Sequence, residues 1–205
     1  MDQGQQHLLI IGGGIIGCAT AHYARKLISS TDDLKITIVD KVNIAAGASG
    51  KAGGFLACDW HNGATLALAA HSFHLHKELA DEFTASKIGY RPCRSIQVTC
   101  KGGNTKKVKK ATVYWDGCEI ENFRELSNYE NSAQVVPEKL TRALFDSASA
   151  ELVIGNIHGR EGNTIIVETK DSFQRISCTS LLLSAGPWTS QVAKQLGISL
   201  PFTTF

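Results

Sequence analysis

The sequence has no apolar run approaching the ~20 residues a membrane-crossing helix needs, so no part of it reads as a membrane span. It also lacks an excess of either charge. With 21 Lys and Arg against 19 Asp and Glu, the net charge of +2 gives no reason to expect nucleic acid or an acidic membrane surface as partner. The six cysteines (Cys18, Cys58, Cys93, Cys100, Cys118 and Cys178) contain no CxxC pair and no even spacing. That pattern fits reduced thiols in a cytoplasmic protein better than a disulfide framework or a zinc site. No Asn-x-Ser/Thr acceptor occurs, and the polar start MDQGQQH matches neither a secretory nor a transit leader. No internal repeat is present. What remains is 43% hydrophobic and 20% charged residues, the balance of a globular chain with a core, long enough for one large domain or one and a half ordinary ones.

The text of the chain alternates between strand and helix. Residues 8–11 read as a short buried strand, 15–28 as a helix with small residues on one face, and 35–40, KITIVD, as a strand ending in an acid. Together they span about the ~30 residues of a βαβ crossover. A low-bulk stretch, 45–54, precedes a stretch that reads as a helix, 64–83. Short strand-like pieces follow at 94–100 and 110–115, separated by Lys/Gly/Asn loops. Residues 137–148 open on proline and have a helical period. ELVIG (151–155), a hairpin-like stretch (159–169) and one further strand, QRISCTSLLLSAG (174–186), close the pattern. Alternation at both ends with strands between implies a doubly wound α/β sheet interrupted by an antiparallel insertion.

Gly12, Gly14 and Gly17 form G-x-G-x-x-G at the first strand-to-helix junction. In that geometry the first glycine permits a tight turn and the second lets backbone approach a pyrophosphate. The third lets helix and strand pack closely. The helix amino terminus offers free N–H groups and partial positive charge to the phosphates. Asp40 ends the second strand 23 residues after Gly17, where a carboxylate can accept both hydroxyls of an adenosine ribose and disfavours a 2′-phosphate. The combination implies an unphosphorylated adenine dinucleotide.

The segment 47-GASGKAGGFLA-57 argues for a ligand larger than NAD in an extended groove. Ala48, Ser49, Gly50, Ala52, Gly53 and Gly54 leave little side-chain bulk, while Ser49 adds a hydroxyl and Lys51 a positive charge. These motifs, with 12-GGGIIGCATA-21, 73-FHLHKELADE-82, 133-AQVVPEKLTRAL-144 and 183-LSAGPWTS-190, resemble the amino-terminal half of the D-amino-acid oxidase/glycine oxidase superfamily of FAD-dependent oxidoreductases. The resemblance is closest to a fungal and plant group of uncharacterised oxidoreductases.

That resemblance implies a Rossmann-like FAD-binding domain of the glutathione-reductase type, discontinuous over 1–88 and 137–200. It implies part of an inserted antiparallel β substrate domain over 89–136. Gly12, Gly14, Ile15, Ile16 and Gly17 would serve the pyrophosphate, and Asp40 with Lys41 the adenosine ribose. Ser49 to Gly54, after Ala48, would run along the ribityl and isoalloxazine part. Ile157 would hold the adenine through its backbone. Ala185 and Gly186 would close the site, with Trp188 nearby. The implied activity is oxidation of the C–N bond of an amine or amino acid, with the cofactor carrying the chemistry. Relatives continue beyond the point matching Phe205, so the chain is expected to be a truncated form with impaired or no turnover, and no catalytic residue is assigned. The other classes consistent with the sequence are a non-catalytic flavin-binding module in protein interaction or endosomal traffic, and a short NAD-dependent enzyme.

Several features have plainer readings. His71, His74 and His76 lie on one expected helix, too few ligands for a zinc site, so no metal is expected. The run 101–110 holds five lysines without interleaved aromatics and reads as a solvated loop. Arg91 and Arg94 fall near a strand start, as a carboxylate clamp for an acid substrate or as a surface ion pair. Ser49 has no evident partner base, which argues against nucleophilic catalysis.

Overall fold

A computed structural model describes residues 5–28, 30–101 and 119–201. The remainder of the lysine-rich run beyond Lys101, the expected strand at 110–115 and Cys118 lie outside the described residues. The chain divides into two units, one running to Gly53 and resuming at Pro137, the other Gly54–Val136. The first unit opens with β1 (Gln6–Ile11), α1 (Ile15–Leu27), β2 (Leu34–Asp40) and the short α2 (Ala48–Lys51). The second holds β3 (Phe55–Ala57), α3 (Leu66–Phe83), α4 (Ala85–Ile88), β4 (Arg91–Pro92), β5 (Ser95–Lys101), β6 (Glu119–Ser127) and β7 (Ser132–Gln134). The chain returns to the first unit through α5 (Pro137–Ser147), β8 (Glu151–Ile154), β9 (Asn156–Glu161), β10 (Thr164–Glu168), β11 (Phe173–Ser177), β12 (Ser180–Leu183) and α6 (Thr189–Gln195).

The first unit is built on a parallel sheet of order β12-β1-β2-β8. Its central strands bury residues on both faces because both faces are covered. Leu9, Ile10 and Ile11 of β1 and Ile36, Ile38 and Val39 of β2 are all buried. One face carries α1, which lies against β1 and β2 and packs on α5. Leu9, Ile11, Val39 and Val153 share a cluster with Ile157, Ile165 and Val167 of the antiparallel sheet β11-β10-β9. Arg25 fastens this layer from below. Its buried guanidinium donates to the carbonyls of Ala148, Ser30 and Leu34 at 3.1, 2.9 and 2.7 Å, so the ends of α1 and α5 and the start of β2 share one group. A charge taken out of water is tolerated only with such full bonding.

The expected single strand at 174–186 is corrected to two. β11 runs antiparallel to β10, pairing Phe173 with Glu168, whereas β12 runs parallel to β1, pairing Ser180 with Leu8. The chain changes sheet at Cys178 and Thr179, whose N–H groups donate to Asn163 O and His7 O at 3.0 Å. A continuous β-rich text cannot mark such a change, since each half keeps its own strand pattern.

The second unit contains the small sheet β3-β7-β4 and the hairpin-like pair β5-β6. Cys18, Cys58, Cys93 and Cys178 are free thiols, but Cys100 is disulfide-bonded, which departs from the expectation of reduced cysteines throughout. No helix of the described residues is long and apolar enough to cross a membrane.

Candidate cofactor site

The carboxyl ends of β8, β2, β1 and β12 open onto one cavity of about 1020 Å³, all of it within the first unit. The residues that follow each strand line it in sheet order. Gly155 to His158 follow β8, Lys41 and Val42 follow β2, Gly12 to Ile16 follow β1, and Ser184 to Trp188 follow β12. This is where ligands bind in open α/β sheets, because the loops diverge there and helix amino termini converge.

The turn after β1 is packed too closely for side chains. Gly12 has φ +115°, and a Cβ on it would lie 2.3 Å from the Ser184 carbonyl oxygen. A Cβ on Gly17 would come within 2.2 Å of Gly12 O. Both neighbours are backbone, so neither can yield cheaply. Gly14 differs, since an added Cβ there would meet only the Ser49 hydroxyl, at 3.0 Å. Gly14 itself lines the cavity.

Two side chains from distant segments hold this turn. Asp40 Oδ2 accepts the Gly13 N–H at 2.8 Å, and its Oδ1 accepts from Val42 and Asn43 N–H at 2.9 and 3.1 Å. Ser49 Oγ accepts the Ile15 N–H at 2.9 Å. Gly14, the residue that caps α1, has no side chain to do so, and Ser49 performs that duty from α2. The next two helical N–H groups, of Ile16 and Gly17, have no carbonyl partner within the helix, and the helix end carries partial positive charge. Beneath the turn, the Cys18 thiol donates to Gly13 O at 3.6 Å. Burial, followed by the nearby Asp40 and Asp146 charges, pushes its pKa up to about 12, so this thiol is inert.

Of the residues expected at the site, Gly12, Gly14, Ile15, Ile16, Asp40, Lys41, Ala48, Ser49, Lys51, Ile157, Ala185, Gly186 and Trp188 line the cavity. Gly17 sits behind them as the helix-packing glycine. Gly50, Ala52 and Gly53 are not among the lining residues, and Gly54 belongs to the second unit. Gly50 has a different requirement, because a Cβ there would lie 2.0 Å from Ala45 O. Ser49 stands against the amino terminus of α1. Sequence reasoning passed over Ser184, whose hydroxyl donates to Ile11 O and Gly12 O at 3.2 Å, and Gly155, where a Cβ would meet Glu168 O at 2.6 Å. A signal for Gly155 existed: like Gly12, it directly follows an apolar strand. Glu168, Gln191 and Gln195 also line the cavity and left no local signature.

In the second unit a smaller cavity of about 300 Å³ lies beside Phe55, Leu68 and Phe73, with His61 and His76 among its walls. His71 and His74 are exposed, and His76 donates to Ser72 O. No group of three or more potential metal ligands occurs among the described residues. Arg94 forms an exposed ion pair with Glu125 at 2.6 Å, and Arg91 donates to the Gln134 side chain.

Comparison with known proteins agrees with this geometry. Residues 7–204 match the DAO family model, described as FAD dependent oxidoreductase. The Schizosaccharomyces pombe protein C1F5.03c, named as an oxidoreductase, is 31% identical over 220 residues, which cover 95% of this chain and 58% of that protein. The Saccharomyces cerevisiae protein TDA3, named likewise, is 37% identical over 143 residues, 67% of this chain and 24% of its own length. The chain thus spans little more than half of the one and a quarter of the other. Among solved structures, glycine oxidase from Bacillus cereus shares the fold with a TM-score of 0.67 at 20% identity, over 93% of this chain and 58% of that one. L-Amino acid deaminase from Proteus vulgaris gives 0.66 at 19% identity, over 96% and 51%. On the family match and the fungal likeness, this chain belongs to the DAO family of FAD dependent oxidoreductases.

Proposed function

We propose that this chain holds FAD in the cavity along the carboxyl edge of its parallel sheet, as the cofactor-binding part of an oxidoreductase acting on amines or amino acids. The observation that carries the reading is the cavity itself. It is continuous from Gly155 to Trp188 across all four strands, and about 1020 Å³ lies at the upper end of ordinary ligand pockets, which suits an extended dinucleotide. The residues present fit that ligand on independent grounds. Gly14 adds no side chain to the cavity wall, the α1 amino terminus offers N–H groups to phosphate, and Asp40 brings a carboxylate to the wall at the end of β2, which suits a ribose. Ile157 lies on the edge strand β9 and lines the cavity, a position that suits an adenine.

Bound FAD would supply the two-electron acceptor for oxidising a substrate C–N bond, with dioxygen or another acceptor taking the electrons onward. The residues of this chain bind and orient. Lys41 and Lys51 bring positive charge to the cavity wall, and Trp188 presents an indole beside Gly47. None of them is assigned a catalytic role. The amine or amino-acid substrate class is drawn from the structural relatives, glycine oxidase and L-amino acid deaminase among them.

Titration of the purified chain with FAD and with NAD separately tests the reading. Quenching of flavin fluorescence at stoichiometric FAD, with weaker or no response to NAD, is the expected result. Binding of neither dinucleotide overturns it.

A further inference from the structure

The two arginines of the second unit, Arg91 and Arg94, are used differently. Arg94 is neutralised by its exposed ion pair with Glu125 at 2.6 Å. Arg91 has no acid partner among the described residues. Its Nε donates to Gln134 Oε1 at 3.1 Å, and its Nη2 donates to the same oxygen. A neutral amide thus orients the guanidinium without cancelling its charge. A guanidinium carries five N–H groups. Gln134 takes one from Nε and one from Nη2, and no described residue takes the other three. Those three include the edge between Nη1 and Nη2, a fork that can meet both oxygens of a carboxylate.

The sheet adds an apolar contact. Gln134 of β7 lies directly opposite Phe55 of β3 on one side and Arg91 of β4 on the other. Directly paired residues share a face of the sheet, so an aromatic ring, an amide and a cation form one row. Ala133, the next residue of β7, is fully buried and belongs to the opposite face. Phe55 is 66% exposed, so its ring is open to contact. Two strand spacings set the backbones of Phe55 and Arg91 about 10 Å apart, room for an aryl group joined to a carboxylate by a short chain.

We propose that this row is a binding site for a small carboxylate bearing an apolar group. Arg91 holds the carboxylate, Gln134 positions Arg91, and Phe55 covers the apolar part. None of the three residues lines the cofactor cavity, and the site does not depend on FAD.

Titration of the whole chain with 3-phenylpropanoate, followed by the backbone amide resonances of residues 55, 91 and 134, tests this. These three should shift together and saturate, whereas 3-phenylpropan-1-ol, which lacks the charge, should leave them in place. Arg91→Lys should bind at least about tenfold more weakly, because an ammonium keeps the charge and loses the fork. Arg94→Lys should stay within about twofold of the native chain. Acetate should bind roughly tenfold more weakly than 3-phenylpropanoate to the native chain, and Phe55→Ala should close that gap. Amide spectra that match the native one away from the row show that the variants fold. No saturable shift at the three residues overturns the site. Equal binding of the acid and the alcohol, unchanged affinity in Arg91→Lys, or an equal loss in Arg94→Lys overturns the role of Arg91. A gap that persists in Phe55→Ala overturns the role of Phe55.

Discussion

Two glycine-rich stretches, 12–17 and 47–54, look alike as text and do different work in the molecule. In the first, Gly12 is required by the backbone of Ser184 and Gly17 by that of Gly12, while a side chain at Gly14 would meet only the side chain of Ser49. In the second, Gly50 is required by the Ala45 carbonyl, and the wall of the cavity is made by its neighbours Gly47, Ala48, Ser49 and Lys51. A low-bulk stretch is therefore not evidence of a ligand at each of its positions. What separates the cases is whether a missing side chain would meet fixed backbone, as at Gly12, Gly17 and Gly50, or a single side chain, as at Gly14.

The comparison predicts a graded series. Gly12→Ala should have the largest effect, because the added carbon meets backbone at 2.3 Å and the φ of +115° is itself costly for alanine. A loss of roughly 3 kcal/mol or more is expected in urea unfolding. Gly50→Ala should cost less, about 1–3 kcal/mol, since the four-residue α2 can shift away from Ala45. If Gly50→Ala unfolds normally and instead weakens nucleotide binding alone, the two stretches are more alike than the contacts imply. Gly14→Val should reverse the pattern. Its stability should fall by no more than about 2 kcal/mol, the cost of disturbing the Ser49 cap on Ile15 N–H, while affinity for ADP should drop at least about tenfold.

Much of this site was legible in the sequence, for local reasons. The spacing of Gly12, Gly14 and Gly17 between an apolar strand and a helix, and the acid ending the next strand, lie within one βαβ unit and are visible as a local pattern. The rest depended on contacts that spacing does not encode. Ser49 reaches Ile15 across 34 residues, and Ser184 reaches Gly12 across 172. Asp40 was readable as the acid that ends β2 beside the glycine turn, but its bonds to Val42 and Asn43 come from a turn that leaves no mark in residue type. The division of 174–186 into β11 and β12 was hidden because both halves are β-rich and only the partner strand differs.

A pH dependence sharpens the account of how β1 delivers its turn. His7, near the start of β1, bonds through Nδ1 to Ser177 O at 2.6 Å and through Nε2 to Thr37 Oγ1 at 2.9 Å, tying β1 to β2 and β11. The carbonyl requires Nδ1 to donate, which leaves neutral Nε2 to accept from Thr37. Burial is the main cause that lowers its pKa below the ordinary 6.5; the Ser177 bond opposes this, Lys35 adds to it, and Glu151 opposes it weakly. The unfolded chain therefore takes up the proton first. Stability is full above about pH 6.5, is lost as pH falls from there towards the lower folded pKa, and levels off below it. His7→Gln should flatten that part of the profile. An unchanged slope would mean that other groups dominate the acid limb.

The smallest effect concerns Cys18 and leaves stability untouched. Its thiol lies under the glycine turn with a pKa pushed up to about 12, so at pH 8 almost none is thiolate, and burial denies access as well. Cys58 and Cys93 are only partly buried. Brief iodoacetamide treatment of the native chain, read by peptide mass, should label these two well before Cys18. The variants then separate the two stretches. Gly12→Ala forces the turn away from Ser184 and should expose Cys18 to alkylation, since its sulfur rests on Gly13 O. Gly50→Ala displaces α2 from Ala45 and should leave Cys18 protected. Equal labelling of Cys18 in both variants would show that the loop after β2 and the turn after β1 move as one, and the contrast between the two stretches would fail at its most sensitive point.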